Sequence, residues 1–251
     1  MKVLSAAILL FILTHQVGLG QQDMPTGYNN NPETVKEIEK NREVERQFIN
    51  LAPLFGGYKK SKKQIGYDEE FIERTLNDCK CTKREASKKF SDLGWGYFKR
   101  GNSEIASKRF NQAYLLDSLN YSLYWGFGAI LGNQYRDTEA IELFSRAYRL
   151  APNRKDTAYS YLCWDFAHTL SRKFWIRHDK KHAEQALQLL EEAERIYPGL
   201  GKIHYEYSRI YFNSGNYEQA LEKYRKAISL DSTRVDKKFF QQLSDSLAAK
   251  K

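Results

Sequence analysis

Proline is scarce in this chain, five in 251 residues, so little in the sequence stands in the way of long helices. Cysteine is scarcer, with Cys79, Cys81 and Cys163 alone, and an odd number leaves one thiol outside any internal disulfide. The sequence holds no glycine-rich phosphate loop, serine elbow, paired-cysteine zinc pattern or dinucleotide fingerprint, which removes the motif-borne enzyme classes. It also lacks an apolar run long enough to span a bilayer, which takes about 20 residues. The run from Val3 to Leu13 is shorter, follows the basic Lys2, and precedes the small residues Gly18 and Gly20. That layout predicts a cleavable secretory signal over residues 1–20, and so an exported chain, periplasmic or secreted, with no membrane span after cleavage. A retained membrane anchor is the rival reading, and the shortness of the run counts against it. No cysteine follows the run to carry a lipid.

Apolar residues make up 41% of the chain and charged residues 28%, the balance of a globular protein rather than a disordered one. Aromatics are plentiful, with 17 Tyr, 14 Phe and 4 Trp. Lys and Arg number 40 against 31 Asp and Glu, a formal charge of +9 from which signal removal takes only Lys2. Basic residues gather at Lys59, Lys60, Lys62 and Lys63, at Lys80, Lys83, Arg84, Lys88 and Lys89, and from Arg172 to Lys181. Such a field attracts polyanions, although the same clusters also suit solvated faces and loops. Export argues against nucleic acid as the partner.

Internal repetition sets the architecture. Residues 87–120 and 121–154 align at an offset of 34, pairing Phe90 with Tyr124, Leu93 with Phe127, Gly94 with Gly128, Tyr97 with Leu131, Ala106 with Ala140, Phe110 with Phe144 and Ala113 with Ala147. In residues 201–234 the same places hold His204, Tyr207, Ser208, Tyr211, Ala220, Tyr224 and Ala227. Large residues at the fourth, seventh and eleventh places share one face of a first helix. A small eighth residue admits a second helix, whose stripe is small, large, small at the twentieth, twenty-fourth and twenty-seventh places. Gly101, Gly215 with Asn216, and Tyr135-Arg136-Asp137 fall at the turns, and Pro152 and Pro198 fall just past second helices.

This pattern resembles the tetratricopeptide repeat family. The resemblance implies an all-α fold, a right-handed superhelical array of antiparallel helix pairs; the flanking sequence adds a leader and N-terminal helical extension over residues 21–86 and a C-terminal capping helix over residues 235–251. Ser118 and Ser232 replace the family's closing proline. Residues 155–200 form an altered third copy with Tyr159, Leu162, Cys163 and Phe166 on its first helix and Ala186, Leu190 and Ala193 on its second. Its frame starts at residue 156, so the unit runs 45 residues, eleven more than the standard 34. The excess lies around Lys173 to His182, as an extended first helix or as a projecting loop.

In the flanks, Asn31-Pro32-Glu33 starts a helix expected to reach about Leu51 and stop at Pro53. Leu54 to Gly66 reads as a connection, and Asp68 to Asn77 as a short helix with Phe71, Ile72 and Leu76 on one side. Thr82 to Glu85 is a capping box. Asp236 to Ala249 reads as an amphipathic end cap carrying Phe239, Phe240, Leu243 and Leu247, which a repeat array needs to cover its last apolar face.

The resemblance further implies a concave trough lined by first helices. Its places hold Trp95, Phe98 and Lys99, then Trp125, then Tyr161, Trp164 and His168, then Lys202, Tyr205, Arg209 and Phe212. Aromatic anchors with basic neighbours suit a peptide or helix carrying apolar side chains and some acid. The competing expectation is that the chain's own N-terminal helix fills the trough. The carboxylate clamp of some family members is absent, since Ser91, Trp95, Gly126, Thr157 and Tyr161 stand at its places.

His178 and His182 are spaced to share one helical face as metal ligands do, but Lys180 and Lys181 lie between them with no acid or cysteine ligand at fitting spacing, which reads as exposed histidines. A Cys79–Cys81 disulfide closes a tight ring and is not expected to be stable without a redox purpose; Cys163, at a small packing place, reads as a buried apolar residue. Asn120-Tyr121-Ser122 fits a glycosylation acceptor. Together these features point to a non-enzymatic scaffold that uses no cofactor and no small-molecule substrate and binds another protein or peptide. A polyanion-binding basic surface comes second, and metal-dependent activity at His178 and His182 third.

Overall fold

The computed structural model describes residues 31–249. The signal expected over residues 1–20, and residues 21–30 after it, lie outside the described residues. Eleven α-helices follow in order: α1 Pro32–Gln47, α2 Lys62–Cys79, α3 Lys83–Lys99, α4 Ser103–Leu116, α5 Tyr121–Asn133, α6 Asp137–Leu150, α7 Thr157–Arg177, α8 Lys180–Ile196, α9 Gly201–Asn213, α10 Tyr217–Leu230 and α11 Lys237–Ala249. No strand occurs among the described residues. From α3 to α10 the helices pair in sequence as a repeat solenoid, each pair joined by a tight turn.

Complementary size at fixed places produces the pairing. The Phe110 ring of α4 is fully buried and sits so close to Gly94 and Gly126 that an added Cβ would meet it at 2.6 and 2.2 Å. A single ring thereby locks α4 against its own partner α3 and against α5 of the next unit. Phe144 of α6 repeats the arrangement on Gly128, where a Cβ would come within 2.9 Å, and stacks on Phe166 of α7 with ring centroids 5.9 Å apart. Ala106, Ala113, Ala140, Ala147, Ala186, Ala193, Ala220 and Ala227 are all 0% exposed, the small halves of the second-helix stripes. Burying such a stripe removes apolar surface from water at about 25 cal/mol per Å², and no unit can do so without a neighbour.

The longer third unit resolves as an extended helix and not as a projecting loop. α7 runs 21 residues, and His178 ends it in a left-handed conformation at φ 52. Leu170 and Phe174 continue the core along the added turns. Arg172, also buried, donates to the Gly132 carbonyl at 2.9 Å and pairs with Asp137, tying the overhang to the α5–α6 turn.

The N-terminal extension differs from expectation in its bounds. α1 starts as expected, with Asn31 Oδ1 accepting from the Glu33 amide at 2.9 Å, but ends at Gln47 rather than near Leu51. α2 begins at Lys62, not Asp68, because Ser61 and Gln64 form a capping box inside the stretch read as a connection. The box between Thr82 and Glu85 opens α3 as expected. Glu45 of α1 pairs with Arg136 at 2.5 Å and Arg42 with Glu139 at 3.1 Å. Between the helices, buried Asn111 of α4 donates to the Asn50 and Ala52 carbonyls at 2.9 and 2.8 Å and accepts from the Phe55 amide at 3.2 Å. That latch holds Leu54 and Phe55 at φ 54 and 58, a region costly for side-chain-bearing residues. The described extension is therefore anchored on the second helices α4 and α6 and, through the Phe71–Phe90 edge contact at 5.4 Å, on the middle of α3.

At the other end α11 covers α10 through buried Phe239 and Leu243 packed on Ala220 and Tyr224. Tyr224 locks the junction, its hydroxyl donating to the Asp236 carbonyl at 2.9 Å and accepting from the Asp236 amide at 2.8 Å. Phe240, expected on the covered side, is 43% exposed and stacks over Tyr224 from the rim. No described helix is long and apolar enough to cross a membrane.

Candidate functional site

The first helices α3, α5, α7 and α9 carry the eleven trough residues, and the structure joins most of them into one strip. Trp95 meets Trp125 at a ring distance of 4.7 Å and Phe98 at 5.7 Å. Trp164 stacks on His168 at 5.5 Å. Tyr205 and Phe212 turn toward Phe239 of α11, at 5.8 and 5.3 Å, so the end cap closes that end of the strip.

Each of these three tryptophans also reaches forward to the next first helix. Trp95 Nε1 donates to Ser122 Oγ at 2.9 Å, Trp125 Nε1 to Asp165 Oδ2 at 2.6 Å, and Trp164 Nε1 to the Lys202 carbonyl at 3.1 Å. Tyr205 repeats the step with its hydroxyl, donating to Asp236 Oδ2 at 2.8 Å. The indole N–H groups are thus consumed inside the array, while Trp95 and Trp125 keep part of their surface uncovered and Trp164 is 8% exposed.

Two carboxylates complete the strip, Asp165 and Glu206, and sequence reasoning passed over both as solvated residues. Their signal was position: Glu206 lies three residues before Arg209, and Asp165 lies four after Tyr161 and three before His168, spacings that share a helix face. Glu206 is buried and holds His168 Nδ1 at 2.9 Å and Arg209 at 3.4 Å. Burial works against its charge, yet Arg209 and His168 outweigh burial and hold the carboxyl down at about 2. For Asp165 burial prevails and raises the carboxyl above its ordinary range, against Lys202 and the Trp125 N–H. Burial likewise lowers the Lys202 ammonium to about 8, opposed by Asp165. That ammonium lies over the rings of Trp164 at 3.7 Å and Tyr161 at 4.6 Å, a cation–π arrangement. Of the basic trough residues, Lys99 alone is exposed, while His168, Lys202 and Arg209 are engaged by internal partners.

Other residues singled out in the sequence are placed elsewhere. His178 ends α7 and His182 lies in α8 beyond the break, so they do not share a helical face, and His182 faces Asp179 at 2.9 Å. No group of three His, Cys, Asp or Glu among the described residues is placed to hold a metal. Cys163 is fully buried, and burial pushes its thiol up to about 12. Cys79 and Cys81 do form a disulfide, contrary to expectation. Lys80 between them adopts φ 48 and ψ 42 at the α2 C-cap, and this turn brings the two Cα atoms to 5.2 Å. The Asn120 amide donates to Ser87 and Ser91 hydroxyls at 2.8 Å each, so the acceptor triplet is built into a helix cap. The basic run from 172 is split, since Arg172 is buried and only Arg177 to Lys181 is exposed throughout.

Family models described as tetratricopeptide repeat match residues 91–155 and 201–234. Over those residues the chain carries tetratricopeptide repeats. In fold it is similar to the MamA RS-1 ArsTM double mutant, at 20% identity and a TM-score of 0.51, covering 65% of this chain and 84% of that one. MamA 41-end from Desulfovibrio magneticus RS-1 gives the same identity and TM-score over 65% of this chain and 85% of its own. No curated protein matches the chain.

Proposed function

We propose that the protein is a non-enzymatic interaction scaffold that takes a peptide or helix of a partner protein along the strip of first helices, at Trp95, Phe98, Lys99, Trp125, Tyr161 and Trp164. The observation that carries this reading is the anchoring of the described extension on α4 and α6, through Asn111, Arg136 and Glu139. The chain's own N-terminal helix is thereby engaged away from the strip that it was expected to compete for. The rings are held in place by their N–H bonds, so a ligand meets an ordered surface and little ordering cost remains to be met on binding. With His168, Lys202 and Arg209 internally engaged, apolar side chains of the partner supply the affinity and an acidic residue near Lys99 supplies orientation.

The test is a peptide array probed with the mature chain, followed by titration of the peptides that bind. Replacing Trp95, Trp125 and Trp164 by alanine, with helical circular dichroism retained, abolishes binding. Undiminished affinity in that folded triple variant removes the strip from the account. Export belongs to the same proposal, on the signal layout of residues 1–20. Protein recovered from its native host begins at Gln21, and an intact Met1 on the bulk of the protein overturns that part.

A further inference from the structure

The Cys79–Cys81 disulfide lies at the junction of α2 and α3, with both residues half-buried and far along the chain from the fully buried Cys163. Neither helix end depends on the bond. α2 stops through the left-handed turn at Lys80, whose amide donates to the Leu76 carbonyl at 2.9 Å. α3 starts through the reciprocal Thr82 and Glu85 bonds at 3.3 and 2.9 Å. The stabilisation a disulfide gives by restricting the unfolded chain grows with the loop it closes, and cysteines two residues apart close almost none. As a staple the bond has little to hold.

Its surroundings instead distinguish the two sulfurs. Cys81 immediately precedes the Thr82 cap of α3, where the unpaired amides of a helix start favour negative charge. Lys89 Nζ stands 3.9 Å from its sulfur. Cys79 closes the last turn of α2, the end where a helix disfavours negative charge. Lys80, Lys83, Arg84 and Lys88 neighbour the pair in sequence, as do the acids Asp78, Glu85 and Asp92; Glu85 is taken by the cap and Asp92 by Lys88 at 2.7 Å. A sulfur beside a cation and a helix start leaves readily as thiolate.

We propose that this pair is a redox-active site that oxidises a dithiol of a partner protein by thiol–disulfide exchange. A partner thiolate attacks Cys79 Sγ, the S–S electron pair departs on Cys81 Sγ, and Cys79 is left in a mixed disulfide. The partner's second thiol, as thiolate, attacks its own sulfur in that mixed disulfide and releases Cys79. The partner gains one disulfide, Cys79 and Cys81 end as thiols, and the two protons of the partner's dithiol return to them through solvent. Lys89 stabilises the leaving sulfur.

The test incubates the folded chain with a synthetic peptide carrying two thiols, quenches with maleimide and reads the thiol count by mass. The expected result is stoichiometric peptide oxidation with unchanged helical circular dichroism, slowed several-fold by Lys89→Met. The trapping variant Cys81→Ser forms a stable adduct with glutathione disulfide on Cys79. In the paired single-cysteine chains, iodoacetamide alkylates Cys81 (in Cys79→Ser) at lower pH than Cys79 (in Cys81→Ser). A bond that survives excess dithiol peptide overturns the proposal, as does loss of helix on its reduction, which identifies a staple. Equal alkylation profiles for the two sulfurs remove the assigned direction of attack and with it the role of Lys89.

Discussion

Glu206 is the residue on which the trough's charge balance turns. Its carboxyl is held at about 2 by Arg209 and His168 despite burial, so it binds fewer protons folded than unfolded. Its contribution is fully present above the ordinary carboxylate range and is lost as pH falls from there toward 2. Glu206→Gln leaves Arg209 and His168 facing an uncharged amide and costs about 3 kcal/mol or more near neutral pH. In urea titrations from pH 7 to 3, the variant loses less stability on acidification than the parent, and parallel curves for the two proteins contradict this assignment. The packing counterpart is Gly126, where a Cβ would fall 2.2 Å from the Phe110 ring. Gly126→Ala displaces a ring wedged between two units and destabilises by about 1–3 kcal/mol, read as a lower urea midpoint. An unchanged midpoint shows that the ring relaxes freely.

Elements were legible in the sequence to the extent that they obey period and cap. The pairs from α3 to α10 follow from residues 34 apart, because Phe110, Phe144 and Tyr224 must each be received by a small neighbour. α2 was underestimated because its first turn, Lys62 to Gly66, carries no inward apolar residue, and only the Ser61–Gln64 box announces it. The length of α7 was visible, but its form was not. Nothing local separates an extended helix from a loop there, and the decision lies with Arg172 finding Asp137, 35 residues away. The trough showed its rings to sequence reasoning and hid its acids, since Asp165 and Glu206 look like surface residues until the next helix is in place. At the same scale, α11 acts as a lid on the last pair. Leu243→Ala, at a site with no exposure, costs about 2–5 kcal/mol. The loss is confined to the C-terminal end, so hydrogen exchange rises in α9 to α11 and stays level in α3 to α6. A uniform rise across the array contradicts this.

For the molecule as a whole, the aromatic strip and the basic clusters are rival candidates for the binding site, and salt separates them. A basic face that neutralises several phosphates or similar anions loses about 10³-fold or more in affinity between 50 and 200 mM salt. Binding carried by the aromatic strip changes little over that range, because its ammonium and guanidinium groups at Lys202 and Arg209 already face Asp165 and Glu206. A titration of the trough ligand at the two salt concentrations reads this directly, and a steep slope moves the site to the lysine clusters.

The forward-reaching indoles also fix how the array deforms. Because Trp95, Trp125 and Trp164 each clasp the following first helix, the first-helix wall resists spreading at every step, while the second helices are tied by Tyr148 to Glu192 at 2.7 Å and by Lys223 and Lys226 to Glu194 at 3.8 and 3.5 Å. A ligand bound as proposed along the first helices would therefore meet a wall whose pitch is set by three indole N–H bonds.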